Sequence, residues 1–503
     1  MLEALFQGLA AVLQWNAFSF MLIGIGVGFW VGLLPGLGGG TTLALMLPFV
    51  FRLEPVQAFA FLLGMHSVVA TTGDITSILF GIPGEGTTAA SILDGHAMAK
   101  KGEAGRALGA SLTSSLVGAI VGAASLALAV PVVRPLVLTF GSPELFMLAI
   151  LGIASISSLG GRGSRAMLRG FLAGCLGLLL AAVGQDPQAG NLRFTFGQLY
   201  LWDGLDLVPV LVGLFGIPEI IDLAVRRTAI AGETSGRISG VFEGVKDTFR
   251  HFWLTIRCSL VGTWIGILPG LGGAVAQWMA YAHAVQSAKD ATDRERFGKG
   301  DVRGVIGPGA ANNSKEGGDL IPTIAFGVPG SSSMAILLGA FFLVGLVPGP
   351  EMLTKYLHVT FSMVWTIVLA NIITVAASLA FLNHLAKLTA IRGMLLVPFL
   401  LLLIFVGAYT SNNSIGDLVV MLAFGGLGYS MVRYRWPRAP LVLGFVLGEI
   451  AERYLWISTA RYGMSWLGRP AVIILMVLAV LVVASPFIQE RRARTRGAVP
   501  HAV

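Results

Sequence analysis

Residues 309–319 read GAANNSKEGGD and place Asn312, Asn313, Ser314, Lys315, Glu316 and Asp319 between two apolar segments. The chain is 55% hydrophobic and only 12% charged. In a lipid solvent, ionisable groups at such positions are costly and stand as functional candidates by default. Lys315 offers an ammonium to an anionic substrate, and Asn312 and Asn313 offer amides to a substrate or to Na⁺. A direct Lys315–Glu316 or Lys315–Asp319 pair that merely fixes the fold weighs about equally. Asp74, with Thr71, Thr72, Thr76 and Ser77 around it, is a second cluster of oxygen donors. It suits Na⁺, or else Asp74 caps a helix beginning there. His66 and His96 lie near these clusters, but a lone histidine is more often a structural hydrogen-bonder than a proton relay.

The elements that must position these groups are broken by proline and glycine. Residues 32–40 read GLLPGLGGG and 266–274 read GILPGLGGA, while LFGIPG at 79–84 answers AFGVPG at 325–330. Glycine lets backbone amides and carbonyls approach a ligand closely. A half-helix N-terminus presents free N–H groups and a positive dipole end, which suit a carboxylate. Carbonyls freed at the opposite ends suit Na⁺. The expected substrate-binding set is therefore Gly39, Gly40 and Thr41, then Gly84, Thr87 and Thr88, then Asn312, Asn313 and Lys315, and finally Gly330, Ser331 and Ser332. The expected Na⁺ ligands are Gly36, Gly38, Asp74, Ser77, Gly270, Gly272 and Asp319. For a single motif, glycines that only allow packing would be the better reading; four motifs in repeated pairs favour a site.

The scaffold implied is an all-α polytopic membrane protein. Apolar runs such as 393–410 and 471–488 have helical length, and the alternation of barrel strands is absent. The chain repeats itself: Gly28 and Trp30 pair with Gly262 and Trp264, and Gly73-Asp74 pairs with Gly318-Asp319. Charge distinguishes parallel from inverted copies. The PGLGG hairpin of the second copy is flanked by Arg257 and by the basic stretch from Lys289 to Arg303, whereas the first is flanked by Glu3, Arg52 and Glu54. After the second motif the order flips, with Lys100, Lys101 and Arg106 against Glu351 and Lys355. Threading the spans leaves only Arg52, Arg134, Arg193, Lys355, Arg453, Arg461 and Arg469 outside, so the bias supports inverted topology, re-entrant hairpins at 17–51 and 258–286, and a cytoplasmic C-terminus. The expected organisation is an N-terminal segment 1–14, a first repeat 15–232, an amphipathic cytoplasmic connector 233–257, a second repeat 258–488 and a basic cytoplasmic tail 489–503. Residues 2–14 are too short to span.

Several classes drop out. The formal net charge of +8 sits in short loops, which argues against nucleic acid. Cys175 and Cys258 lack redox or metal-ligand spacing and read as packing residues. No HExxH, Walker GxxxxGK[ST] or GxSxG motif is present, so an enzyme is not expected, nor an ATP-driven permease unless a separate subunit carries the Walker motif. No basic n-region or cleavage site for a removable signal peptide is seen. An ion channel or uncoupled anion pore is the alternative to a transporter.

At these motifs the sequence resembles the large permease subunit of tripartite tricarboxylate transporters, the TctA type. The resemblance covers nearly the whole chain. It includes GLLPGLGGG, GDITSILFGIPGEGTTAASILDGHAMAKKGEAGRAL, FGSPELFMLAILG, AANNSKEGGDLIPTIAFGVPGSSS and PRAPLVLGFVLG. It implies a secondary transporter of the bacterial inner membrane that takes up a di- or tricarboxylate by Na⁺ or H⁺ symport. The implied partners are a small membrane subunit of about four helices and a periplasmic solute-binding protein, with a homodimer as an open option. An elevator-like domain would then hold the hairpins at 35–41 and 269–274 and the broken segments at 81–88 and 327–333. No cofactor is expected beyond the coupling ion.

Overall fold

The structure is a computed structural model that describes residues 1–33, 38–85, 87–159, 164–186, 190–225, 238–269, 272–388 and 397–495. Gly36, Gly86 and Gly270, the first residues of the 233–257 connector and the tail beyond 495 lie outside the described residues. The described chain is helical throughout, apart from a two-residue strand pair, Gly184–Gln185 with Leu192–Arg193. Among the described residues, five helices are long and apolar enough to cross a membrane: Trp15–Gly32, Pro55–Phe80, Ala104–Val137, Leu357–Leu382 and Ile415–Arg433.

The first half runs α1 (Leu2–Leu13), α2 (Trp15–Gly32), α3 (Gly39–Met46), α4 (Pro55–Phe80), α5 (Ile92–Lys100), α6 (Ala104–Val137), α7 (Ser142–Leu159) and α8 (Ser164–Ala181). After the strand pair come α9 (Leu207–Leu211) and α10 (Ile217–Val225), joined by a π-helical turn over Val212–Gly216. The second half runs α11 (Val241–Arg250), α12 (Phe252–Ile267), α13 (Gly272–Gln286), α14 (Ala291–Arg294), α15 (Arg303–Phe326) and α16 (Ser332–Leu343). It continues as α17 (Leu357–Leu388), α18 (Val397–Asn412), α19 (Ile415–Arg433), α20 (Ala439–Tyr462) and α21 (Pro470–Thr495).

The two copies of the FG[IV]PG motif take the same local form. Each FG[IV]PG follows a long helix, α4 or α15, that stops at a glycine in the left-handed region. Gly81 has φ 68° and ψ 19°, and Gly327 has φ 67° and ψ 19°. At Gly327 the N–H donates to the Thr323 carbonyl and the Val328 N–H to the Pro322 carbonyl, which closes the helix end. The Pro322 and Thr323 carbonyls are thus used locally, and the Ile324 carbonyl accepts from the Gly349 N–H. The Pro/Gly break suggests two short apolar half-helices around this motif, but the leading helix has 26 residues in the first copy and 24 in the second, and only the following element is short.

Close helix contacts explain the high glycine content. Gly24, Gly28 and Gly32 seat α2 on Phe61, Met65 and Thr72 of α4, and Gly262 and Gly266 seat α12 on α15 at Ser314 and Asp319. Small residues at such spacing let backbones approach where lipid gives no hydrophobic drive. α15 is enclosed, with every residue from Gly304 to Ala325 buried although five of them can ionise or carry an amide. It packs against α6 through Gly122 and Gly317 and against α12 through Thr263 and Gly318.

Two short amphipathic helices flank this bundle. α1 lies on α17, where Gly8 meets Phe361 and Trp365 Nε1–H donates to the Leu5 carbonyl at 2.9 Å. α11 lies on α6, where Arg106 Nε–H donates to Asp247 Oδ2 at 2.6 Å. α11 leaves Phe242, Phe249 and, just beyond it, Trp253 exposed, as a helix lying in the membrane interface does. In the α14 region, Arg303 donates two hydrogen bonds to Asp293 at 2.9 and 2.6 Å, which holds the Asp293 carboxyl well below its usual range. Asp94 is fully buried and accepts from the Gly300 and Asp301 N–H groups at 2.7 and 2.8 Å and from Tyr281 Oη at 3.0 Å. This pins α5 to the start of α15. Elsewhere the outer faces are apolar and open to lipid, as at Leu168, Leu172 and Leu179 of α8 and Ile474, Val477 and Val480 of α21.

Candidate functional site

The described residues of the four broken motifs meet around α4 and α15. Gly39 starts α3 directly over His66 of α4, and a Cβ there would lie 2.5 Å from His66 Nδ1. The same position faces Glu85 Oε1 at 3.6 Å. One residue on, a Cβ at Gly40 would lie 3.3 Å from Ser333 Oγ of α16. On the other side, Gly273 of α13 is covered by the aliphatic stem of Lys315 and by Thr87. First-copy and second-copy tips therefore interleave, Gly39–Gly40 with Ser333 and Gly273 with Thr87.

Lys315 is 4% exposed and lies within the reach of three carboxylates, Asp319, Glu316 and Glu85, without a direct ion pair to any described one. The expected Lys315–Glu316 contact pair does not form, because consecutive helical residues diverge by about 100°. Glu316 instead faces α4: Ser67 Oγ–H donates to Glu316 Oε2 at 2.7 Å, and His66 Nε2 approaches Glu316 Oε1 at 3.7 Å. Lys315 and Asp319 are four apart and share a face. Asp319 is fully buried, and both its oxygens lack a hydrogen-bond partner. Gly330 packs against Asp319, with its would-be Cβ 2.9 Å from Asp319 Oδ1, and against the Gly266 carbonyl.

The asparagines hold the two long helices together. Asn312 Nδ2 donates to the Ala70 carbonyl at 2.9 Å, and its Oδ1 accepts from Gln277 Nε2 at 2.7 Å. Asn313 Nδ2 donates to Thr71 Oγ1 at 2.6 Å and to Asn371 Oδ1 of α17. Asp74 is 1% exposed and accepts from Ser111 Oγ at 2.7 Å, while its Oδ1 has no partner. It lies in the middle of α4, so it is not a helix cap. Ser77 Oγ shares a hydrogen bond with Thr88 Oγ1 at 2.7 Å, and Thr88 donates to the Glu85 carbonyl at 3.0 Å. These two hydroxyls brace the loop; Gly84 N–H also donates to Ser77 Oγ, at 3.3 Å. Thr87 Oγ1 is buried and without a partner.

The remaining expected residues make other contacts. Thr41 donates to Glu219 Oε1 at 3.4 Å, an oxygen that also accepts from Arg438 at 3.2 Å. Gly38 caps α3 and its carbonyl accepts from Thr42 Oγ1 at 3.0 Å. Ser331 caps α16, accepting from Met334 N–H at 3.4 Å, and Ser332 is exposed beside it. Gly272 opens α13 with φ 69°.

Sequence reasoning passed over Glu85, Ser67 and Asn371, set His66 aside, and treated Glu316 only as a partner for Lys315. Glu85 lies between two glycines and reads as part of a turn. Asn371 carries a signal that was available, a single amide within the apolar run IVLANIITV. Among the described residues, no group of three His, Cys, Asp or Glu is placed to hold a metal ion.

Fold and site together define a multi-pass, helical membrane protein whose broken segments gather around a buried, charged centre. The model of the tripartite tricarboxylate transporter TctA family matches residues 18–443, and the chain belongs to that family. It is a family of transporters whose members act within tripartite systems. Two proteins of Agrobacterium vitis are similar. An uncharacterized 52.8 kDa protein in the TAR-I ttuC' 3' region is 33% identical over 437 residues, covering 86% of this chain and 85% of that protein. An uncharacterized protein in the TAR-II ttuC' 3' region is 32% identical over 194 residues, covering 39% of this chain and 79% of that protein. No solved structure gives a significant match.

Proposed function

We propose that the chain is the permease subunit of a secondary transporter that takes up an organic anion, a di- or tricarboxylate, with a cation gradient. The observation that carries this reading is the position of Lys315. It is a buried ammonium beneath the Gly273 tip and beside Thr87, where segments of both halves meet. A fixed positive charge in a low-dielectric site draws a carboxylate, and freed N–H groups of the tips complete its recognition. The surrounding carboxylates are in excess over that one ammonium, so a cation must accompany the substrate.

In this reading the halves are inverted repeats, and the four tips belong to a domain that moves elevator-like against α7–α10 and α18–α21. Asp74 and Asp319, at matched positions of the two copies, are the leading candidates for Na⁺ ligands, with Ser77, Gly38 and Gly272 as secondary ones. The protein lies in the bacterial inner membrane with its C-terminus cytoplasmic. A periplasmic solute-binding protein delivers the anion, and a small four-helix subunit completes the complex.

The test is reconstitution of the permease with both partners in vesicles supplied with labelled succinate, malate and citrate. Accumulation of at least one of them is expected only under an inward Na⁺ or H⁺ gradient. Equal uptake after the gradient is collapsed contradicts coupling and describes an uncoupled anion pore instead.

A further inference from the structure

Lys315 and Glu316 are neighbours in sequence but serve different walls of the site. Lys315 turns to the second-copy tip at Gly273, whereas Glu316 turns to α4 and the first-copy tip at Gly39. The α4 wall is built around two fully enclosed groups. His66 is 1% exposed and Glu316 is 0% exposed. Ser67 occupies one carboxyl oxygen of Glu316, and the other points at His66 Nε2. That oxygen and His66 Nε2 have no hydrogen-bond partner, while His66 Nδ1 faces the Gly39 backbone. Buried polar atoms left in this state are rare in folded proteins and call for an explanation.

We propose that His66 and Glu316 form a proton-binding pair, and that the proton it carries is a coupling cation of this transporter. This rests on the transport reading above and deepens it. The charged and titratable groups facing the pair are Lys315 and Asp319 from α15 and Glu85 from the loop after α4; α3 contributes only the Gly39 backbone. Asn371 of α17, which bonds Asn313 on the next turn position, is neutral. Three carboxyl groups, Glu316, Asp319 and Glu85, lie within reach of one ammonium, and Asp74 adds a fourth near Glu85. A low-dielectric interior does not hold so many uncompensated negative charges. The donor set at this wall is one carboxylate, one hydroxyl and one imidazole. That is too poor in oxygen for Na⁺, which a hard-cation site would surround with oxygen ligands, but it suits a single proton shared between nitrogen and oxygen.

The balance is simple. One proton enters from the outer solution, converts the pair from net −1 to neutral, and leaves to the cytoplasm when the pair is exposed there. Its occupancy matters for the anion because Glu316 adjoins Lys315 in the chain. An ionised Glu316 offsets the Lys315 charge and disfavours a carboxylate beside it. A protonated pair leaves the ammonium free to bind the substrate. Anion and proton binding are then linked, each raising the affinity for the other.

Two arms test this. In the first, the purified full-length chain is titrated with pH and followed by infrared difference spectroscopy. A protonated-carboxyl band is expected that titrates with pH, shifts in His66→Asn and disappears in Glu316→Gln. The same titrating band in wild type and in Glu316→Gln overturns the proposal. In the second, vesicles holding the permease and its partners receive labelled succinate, malate and citrate without Na⁺. An acid-outside gradient is expected to drive accumulation, and in Glu316→Gln the ratio of uptake with and without that gradient falls roughly tenfold. His66→Asn should reduce the ratio in the same direction. Accumulation that needs Na⁺ and ignores the pH gradient also overturns the proton assignment. If wild type accumulates nothing under any gradient, the transport reading fails, and the infrared arm still decides the proton pair.

Discussion

Lys315→Met is expected to lower gradient-driven uptake at least about a hundredfold while the protein still inserts and folds. The variant keeps most of the side-chain volume, so the stem that covers Gly273 is preserved. It removes the ammonium that lies within the reach of Asp319, Glu316 and Glu85. Removing one partner of a buried charged group costs on the order of 3–5 kcal/mol, and about 1.4 kcal/mol corresponds to a factor of ten. Part of that cost falls on the fold, so uptake must be read beside stability. The double variant Lys315→Met with Glu85→Gln removes one charge of each sign and should recover thermal stability. If Lys315 attracts the anion, uptake in the double variant stays lost. If Lys315 is only a structural counter-ion, uptake returns with stability, and the assignment of the anion site fails.

The second large effect is structural. Gly317→Val should prevent accumulation of folded protein, and Gly318→Val should do the same. These consecutive glycines face opposite neighbours of α15. A Cβ at Gly317 would overlap the Gly122 carbonyl of α6, and one at Gly318 would overlap the Thr263 carbonyl of α12. Both obstacles are backbone in the middle of helices, so neither can turn aside as a side chain would. Overpacking a tight core costs about 1–3 kcal/mol where side chains can adjust, and more where they cannot. Against a total stability of about 5–15 kcal/mol, either change consumes a large share. Fluorescence-detected gel filtration of membranes solubilised in mild detergent measures it, with Gly426→Val as the control because nothing lies near that position. A monodisperse Gly317→Val protein at wild-type yield would show that α15 is not clamped as described.

These effects also show where the sequence was readable. Repetition and helical length exposed the paired motifs, and a charged run among apolar residues exposed α15. The length of α4 and α15 was hidden because glycine and polar residues inside them look like breaks. In the fold those glycines face neighbouring backbones, and many of the polar side chains find partners across the helix contact, as Asn312 does at Ala70 and Asn313 at Thr71. The directions of Lys315 and Glu316 depend on which helix packs on which face of α15, and spacing along one chain does not encode that. His66 is unremarkable in sequence for the same reason: its meaning comes from Glu316, 250 positions away by residue number. Thr41 was expected beside the anion but turns to Glu219 and Arg438, because one residue along α3 changes the facing wall.

The central claim is that tips from both halves close on one centre and must part from each other to admit and release the anion. Gly40→Cys with Ser333→Cys, in a background carrying Cys175→Ser and Cys258→Ala, tests it most directly. The two positions are close enough for a disulfide, since a Cβ at Gly40 would lie 3.3 Å from Ser333 Oγ. The pair is expected to cross-link under mild oxidation in membranes, to stop uptake when cross-linked, and to regain uptake after reduction. Failure to cross-link, or full uptake by fully cross-linked protein, would contradict the account.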